Sequence, residues 1–119
     1  MDDQEKALVF HTGVLGFEKM ADIPMAKYRW LTVVSPEGIE GVELLFEPRA
    51  FPPAIAYHKA LFEAGIPSTA FTTKDIKAEV NRLKRREVVF RGEPRSQGPI
   101  TNVLFEDWCG NLINLVQPN

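Results

Sequence analysis

The sequence has little of what marks several large classes of protein. Its 119 residues include one cysteine, Cys109, so no disulfide can form within the chain, and this fits a reducing cytoplasm. No apolar run approaches the roughly 20 residues that a membrane-spanning helix needs. The residues after Met1 are acidic, whereas a signal peptide begins with basic ones. We therefore expect a cytoplasmic protein that has no membrane partner.

The sequence also lacks an excess of charge of one sign. Its 14 basic and 16 acidic residues give a net charge of -2, so no electrostatic argument favours nucleic acid as a partner. The one basic cluster, residues 84–86, falls at the predicted end of a helix, where cations complement the helix dipole. Dinucleotide-binding, P-loop, Ser-His-Asp and C-x-x-C patterns are missing too. The composition, 45% hydrophobic and 25% charged, is that of one globular domain.

The end of the chain carries the clearest pattern. Two apolar runs, Val103–Phe105 and Leu112–Val116, flank a polar segment that contains Asp107, Gly110 and Asn111. These three residue types favour tight turns, so the segment predicts a β-hairpin.

One polar residue interrupts the second apolar run. Because strand side chains alternate between faces, Asn114 shares a face with Leu112 and Val116. A polar group on an apolar face must be hydrogen-bonded, or it must face a cavity that holds water, ligand or metal. Which of these applies is the main functional question that the sequence raises.

The remaining patterns predict a repeated order of elements. The second half is a strand, a helix and three strands, and the first half matches it if one strand is supplied before Asp2. The predicted helices are Asp3–Val14, Ala54–Ala64 and Lys74–Arg86. Asp2 and Asp3 are the candidate caps of the first, and apolar residues of the third repeat at i, i+4, i+7. The predicted strands outside the hairpin are Phe17–Ile23, Tyr28–Val34, Gly41–Glu47, Ser68–Thr73 and Val88–Arg91; a turn signal at 35–38 follows the second, and 92–99 is predicted to be a polar loop.

Three stretches resemble a known superfamily: residues 2–17, residues 41–44, and residues 107–115, which carry the pattern D-x-x-G-N-hydrophobic-hydrophobic-x-L. They are similar to the glyoxalase, bleomycin-resistance and extradiol-dioxygenase families of the vicinal oxygen chelate superfamily. The resemblance implies an α+β fold of paired βαβββ modules that form a curved, cup-shaped mixed sheet with helices outside. It implies a module at 1–48 whose first strand is missing from the chain, a linker helix at 49–66 and a module at 67–119.

The resemblance also implies where metal-dependent relatives hold their ion. Glu43 falls at the position of a ligand in the first module, Ser68 falls at or beside a histidine position, and Asn114 falls where the final glutamate would be. One carboxylate with an amide and a hydroxyl is a poor site for zinc, nickel or iron. We therefore expect no cofactor, and keep a divalent metal held by Glu43 as the alternative.

Glu43 is the candidate catalytic and metal residue, although we favour a hydrogen-bonded role at the rim of the cup. If the cup is dry, desolvation would favour its protonated form and make it a possible general base. His11 is expected to pack, His58 to lie at the surface and Cys109 not to act as a nucleophile. The residues expected to contact a ligand are Trp30, Leu45, Glu47, Ser68, Asn102 and Asn114.

These observations predict a homodimer that binds a small, partly apolar molecule. A sheet that lacks an opening strand has an edge that needs covering, which favours the dimer. The alternative is a divalent-metal-dependent lyase or dioxygenase in which Glu43 acts with His11 or with groups from a partner chain. A third possibility is that the protein starts upstream of Met1 and that the added strand returns one ligand.

Overall fold

A computed structural model describes residues 3–119 and has an α+β fold with two sheets. Its helices are α1 Gln4–Val9, α2 Pro52–Ala64 and α3 Ile76–Arg85, and a π-helical turn, Phe10–Val14, follows α1. Its strands are β1 Glu18–Met25, β2 Tyr28–Val34, β3 Leu44–Leu45, β4 Thr69–Thr72, β5 Arg95–Gln97, β6 Ile100–Glu106 and β7 Leu112–Pro118. Within residues 3–119, no helix has the length and apolar character needed to cross a membrane.

The chain divides into two compact units. The first ends at Ile55 and the second begins at Ala56, so the boundary lies inside α2. The finer division into modules at 1–48 and 67–119, joined by a helix at 49–66, stays a prediction.

The first unit contains an antiparallel sheet in the order β1-β2-β3. Leu31 and Val33 of β2 are buried, as are Ala7 and Phe10 in the helical segment that precedes the sheet. Asp3 caps α1, because its carboxylate accepts from the main-chain N–H of Lys6 at 3.0 Å. Asp2, the other predicted cap, lies outside the described residues.

A buried glutamine connects α1 to the strands of the first unit. The side-chain amide of Gln4 donates to the carbonyl oxygens of Arg29 at 2.7 Å and Phe46 at 2.9 Å. Its Oε1 accepts from the N–H of Arg29 at 3.0 Å. Three of its four hydrogen-bonding positions are therefore used on main-chain groups, which fixes α1 to β2 and to the residue after β3.

The second unit follows the predicted order of strand, helix and three strands. Its sheet has the order β4-β7-β6-β5, with β4 parallel to β7 and the other pairs antiparallel. Helix α3 buries a stripe with the predicted i, i+4, i+7 spacing. The buried residues of this stripe are Ile76, Val80 and Leu83, and those on one face of the hairpin are Val103, Phe105, Ile113 and Leu115.

Two predicted strands differ from the structure. The strand predicted at Gly41–Glu47 contracts to the two residues of β3, because Gly41 adopts φ +85 and Val42 donates to Ile39 O at 3.2 Å in a turn. The strand predicted at Val88–Arg91 is reduced to a single bridge between Phe90 and Phe105. Strand β5 instead forms within residues 92–99, which were predicted to be a polar loop.

An ion-pair network on the first sheet gives a pH-dependent prediction. Arg29 donates to both carboxylate oxygens of Asp22, at 2.9 and 2.7 Å, and to Glu5 at 2.8 Å. These hydrogen bonds from Arg29 lower the pKa of Asp22 from 3.8 to about 2. Because the pKa of Asp22 is lower in the folded protein, the stabilisation by its ionised carboxylate is present above pH 3.8 and is lost as the pH falls towards 2.

The free energy of unfolding of Asp22→Asn should therefore vary less with pH than that of the wild type across this window, measured by urea denaturation.

Glu18→Gln provides the control, since it removes an acid from the same strand at a residue that has no ion pair within residues 3–119. It should follow the wild-type pH profile. Equal slopes for the wild type and Asp22→Asn would contradict the role given to the Arg29 pair.

Candidate functional site

The first sheet has one face turned away from its buried residues, and we call it the first open face. Alternation along β2 places Trp30 and Thr32 on this face, opposite Leu31 and Val33. Trp30 lies directly across from Ile23 of β1, and the two side chains are 46% and 56% exposed. Thr32 lies across from Leu45, which is half-buried. The face therefore presents apolar side chains around one hydroxyl that is itself buried, since Thr32 is 3% exposed.

That hydroxyl orients the candidate carboxylate. Thr32 Oγ1 donates to Glu43 Oε1 at 2.6 Å and accepts from the N–H of Ala21 at 3.1 Å. The β1–β2 register shifts between Lys19 and Ala21, and this bulge directs the N–H of Ala21 to a side chain. Glu43 is thus hydrogen-bonded, as favoured from the sequence. It is also exposed, so the dry cup on which its general-base role depended is not formed around it.

The second sheet also has an open face, which includes Asn102, Leu104, Asn114 and Val116. Asn114 lies across from Leu104 on one side and Ala70 on the other, and Asn102 lies across from Val116. Leu104 and Val116 are half-buried. Asn114 therefore occupies the apolar setting that strand alternation predicted.

Three side-chain amides form a chain across this second open face. Gln97 Nε2 donates to Asn102 Oδ1 at 3.0 Å, and Asn102 Nδ2 donates to Asn114 Oδ1 at 2.9 Å. The carbonyl oxygen of Asn114 is therefore satisfied by a neighbouring amide. Its Nδ2 has no partner in the part of the chain that the structure describes, so it remains as a donor on the open face.

Ser68 anchors the strand that leads past Asn114. Its N–H and its hydroxyl both donate to the carbonyl oxygen of Leu112, at 2.9 and 3.4 Å. This contact fixes the start of β4 against the start of β7. The structure thus joins Asn102 to Asn114 directly across β6 and β7, whereas Ser68 lies at the start of the neighbouring pair, β4 and β7. Glu47 is exposed beyond β3 in the first unit.

The candidate metal ligands Glu43, Ser68 and Asn114 fit a metal ion poorly. Residues 3–119 contain no group of three or more His, Cys, Asp or Glu side chains that could hold an ion. The Glu43 carboxylate is bonded to Thr32, the Asn114 oxygen to Asn102, and the Ser68 hydroxyl to a carbonyl. Catalytic zinc, nickel or iron needs several charged or imidazole ligands, and these side chains do not supply them.

His11 has the environment of a packing residue. It is 4% exposed, and its Nδ1 lies 2.8 Å from Ala7 O, so Nδ1 carries the proton and donates. Its ring centroid lies 4.6 Å from that of Phe46 and 5.8 Å from that of Phe17. These contacts agree with the packing role expected for His11.

The polar segment of the hairpin is built around Asp107, which is 3% exposed. Its Oδ1 accepts from the N–H groups of Cys109 at 2.8 Å and Asn111 at 3.0 Å, and its Oδ2 accepts from Asn111 Nδ2 at 2.9 Å. Trp108 and Gly110 take the positive φ values, 65 and 78. The D-x-x-G-N pattern is therefore a turn that shapes the hairpin.

Several residues that shape the open faces, and one buried residue of the first unit, were not identified from the sequence. Thr32 was visible in the alternation of β2, but nothing in the sequence indicated its bond to Glu43. Gln97 and Arg95 lay in the predicted loop, and the strand β5 places them on the face of Asn102. The buried amide of Gln4 carried no sequence signal, because an isolated glutamine in a first helical turn is ordinarily solvated.

Comparisons with known proteins agree with this architecture. The model of the Glyoxalase/Bleomycin resistance protein/Dioxygenase superfamily matches residues 1–115. The chain is 49% identical over 117 residues to the protein YurT of Bacillus subtilis (strain 168), covering 98% of this chain and 92% of YurT.

Two solved structures are also similar. The first is TnmS3, an antibiotic binding protein from Streptomyces sp. CB03234, with a TM-score of 0.77, 31% identity, and coverage of 100% of this chain and 89% of TnmS3. The second is UcmS2, with a TM-score of 0.78, 27% identity, and coverage of 96% of this chain and 89% of UcmS2.

Removing the Asp107 carboxylate tests the turn. Asp107→Ala should lower the free energy of unfolding by about 2–4 kcal/mol, because it leaves buried N–H groups without an acceptor. Asp107→Asn keeps one oxygen for those N–H groups and should cost clearly less. Urea denaturation measures both. Equal and small losses would show that the turn does not depend on this carboxylate.

Proposed function

The chain belongs to the Glyoxalase/Bleomycin resistance protein/Dioxygenase superfamily, and we propose that it binds a small, partly apolar molecule without using a metal ion. One observation carries the proposal: the amide of Asn114 accepts from Asn102 on an apolar sheet face, at the position where the resemblance places a metal-binding carboxylate. An amide pair in this setting offers hydrogen bonds to a neutral or anionic ligand and little affinity for a catalytic ion.

The composition of the two open faces supports this proposal. The first offers Trp30, Ile23 and Leu45 beside the Thr32–Glu43 pair, and the second offers Leu104 and Val116 beside the amide chain. Mostly apolar walls with a few placed polar groups are the usual build of small-molecule sites. The predicted ligand contacts, Trp30, Leu45, Glu47, Ser68, Asn102 and Asn114, belong to this proposal as residues to be tested.

The similarity to TnmS3 supports the same class of function. TnmS3 is an antibiotic binding protein, and the two sequences are 31% identical in an alignment that covers the whole of this chain. A protein that sequesters a small molecule needs affinity and no reaction chemistry. This agrees with the internal hydrogen bonds that already engage the candidate metal-ligand atoms of Glu43, Asn114 and Ser68.

A metal-dependent lyase or dioxygenase is the second candidate. It is favoured by one feature, since the Glu43 carboxylate is exposed and is oriented by Thr32 through a single oxygen. The other oxygen would be available to an ion if further ligands came from outside residues 3–119, for example from a second copy of the chain.

Elemental analysis with a binding assay separates the two candidates. Protein purified without chelator should contain far less than one equivalent of nickel, zinc or iron. Quenching of the intrinsic fluorescence of Trp30 and Trp108 by a panel of aromatic antibiotics should show binding that EDTA does not change. Glu43→Gln should bind within about threefold of the wild type, because removing a charge at an exposed carboxylate has a small effect. Trp30→Phe should abolish the signal and so assign it to the first open face.

Stoichiometric metal that is lost in Glu43→Gln, together with binding that EDTA abolishes, would overturn the metal-free proposal and favour the enzyme. Thr32→Val serves as the matched control, because it removes the hydrogen bond to Glu43 while keeping the carboxylate. It should leave both the metal content and the affinity near wild type.

We further propose that the protein is a cytoplasmic homodimer. Within residues 3–119, β1 pairs only with β2, and its exposed side chains include Met20, Ile23 and Met25. Such an apolar edge strand is a surface that proteins ordinarily cover.

Sedimentation equilibrium tests the assembly. The wild type should show twice the chain mass of 13.4 kDa, and Met25→Glu should shift the equilibrium towards the monomer because it buries a charge in the proposed contact. Val89→Glu, the same kind of change at an exposed apolar residue of the second unit, should remain dimeric. A monomeric wild type at micromolar concentration would contradict the dimer.

A further inference from the structure

The second open face contains one cation whose charge is not compensated. Arg95 of β5 lies directly across from Asn102, on the face that carries the amide chain. Within residues 3–119, its guanidinium makes no ion pair and no side-chain hydrogen bond. Arg95 is exposed, so its guanidinium can offer several donors in a fixed plane to an anion.

The other charges beside Arg95 are already paired. Arg91 donates to Glu106 at 3.1 Å and lies over the ring of Phe62 at 5.1 Å. Glu93 pairs with Lys84 at 3.3 Å. The local excess of positive charge therefore belongs to Arg95.

Arg95 also borders a cavity of about 250 Å³. The cavity walls also include the ion-paired Arg91 and Glu93, the amides of Gln97 and Asn102, and Leu104, so polar and apolar groups line it together with Arg95. Pockets that enclose a whole drug-sized ligand measure roughly 300–1,000 Å³. This cavity is therefore suited to one end of a ligand, whose body would extend over the half-buried Leu104 and Val116.

The amide chain sets the direction of hydrogen bonding on this face. Gln97 donates to Asn102 and Asn102 donates to Asn114, so the chain ends at the Nδ2 donor of Asn114. Arg95 and Asn114 flank Asn102 on neighbouring strands, and both offer N–H groups. A ligand that meets both must carry acceptors, and a carboxylate meets a guanidinium through two parallel hydrogen bonds.

We propose that the second open face is a subsite for the carboxylate of a small apolar acid, with Arg95 as the charged partner and Asn114 Nδ2 as a second donor. This inference rests on the proposed ligand-binding function and specifies the class of ligand. It requires no metal ion and no contribution from Glu43.

The test uses two probes with the same apolar body, diphenylacetate and diphenylacetamide, titrated by NMR against the whole protein. The wild type should bind the acid about tenfold more tightly than the amide, because only the acid forms a charge-assisted pair with Arg95. Arg95→Gln should remove this preference by weakening the acid and leaving the amide unchanged. Added salt should reduce the preference in the wild type, since the pair is partly exposed.

Arg85→Gln is the matched control, because it removes an exposed arginine from the last turn of α3, away from the cavity. It should keep the wild-type preference. Asn114→Leu should weaken both probes if its Nδ2 is a second donor, and circular dichroism verifies that each variant is folded.

The outcomes separate this inference from the function on which it rests. Equal binding of acid and amide to the wild type and to Arg95→Gln would overturn the carboxylate subsite and leave small-molecule binding intact. Failure of both probes to bind any of the proteins would count against the subsite and against the proposed function together.

Discussion

The closing hairpin depends on one buried carboxylate. Asp107 accepts hydrogen bonds from two main-chain N–H groups and from the side chain of Asn111, all inside the turn between β6 and β7. Strand register fixes which face each side chain occupies, and a shift of one residue would exchange the two faces. By holding the turn, Asp107 keeps Ile113 and Leu115 in the core and Asn114 on the opposite face. The position of Asn114, the candidate ligand-binding amide, thus follows from the buried carboxylate of Asp107.

The two faces of each sheet differ in burial and in polarity. The buried faces carry the large apolar residues, such as Phe105 in the second unit and Leu31 in the first. The open faces combine exposed or half-buried apolar side chains with hydrogen-bonded polar groups. Glu43 and Asn114, which the resemblance placed at metal-ligand positions, are each bonded to a neutral neighbour, Thr32 for Glu43 and Asn102 for Asn114. The chain thus retains the superfamily scaffold, and these hydrogen bonds are what supports the proposal of noncovalent binding on it.

The sequence predicted the elements whose patterns are local. Strand β2 was predicted with its observed bounds, because its alternation is long and a turn signal closes it; α3 was predicted from its apolar stripe. The contraction of β3 was not foreseen, since Gly41 was counted as a strand residue although it takes a positive φ in the turn. The amide chain could not be predicted either: it joins Gln97 of one strand to residues of two others, and only the strand register brings them together. Asn114 itself was identified, and the choice among its possible partners needed the structure.

The central claim is that this protein binds an organic molecule on its open sheet faces and holds no catalytic metal. The most direct measurement is a crystal structure of protein purified without chelator, with anomalous data collected for nickel, zinc and iron. We predict density for an organic molecule against Trp30 or beside Asn114, and no anomalous peak at Glu43. An anomalous peak within coordination distance of the Glu43 carboxylate, completed by other protein ligands, would contradict this account.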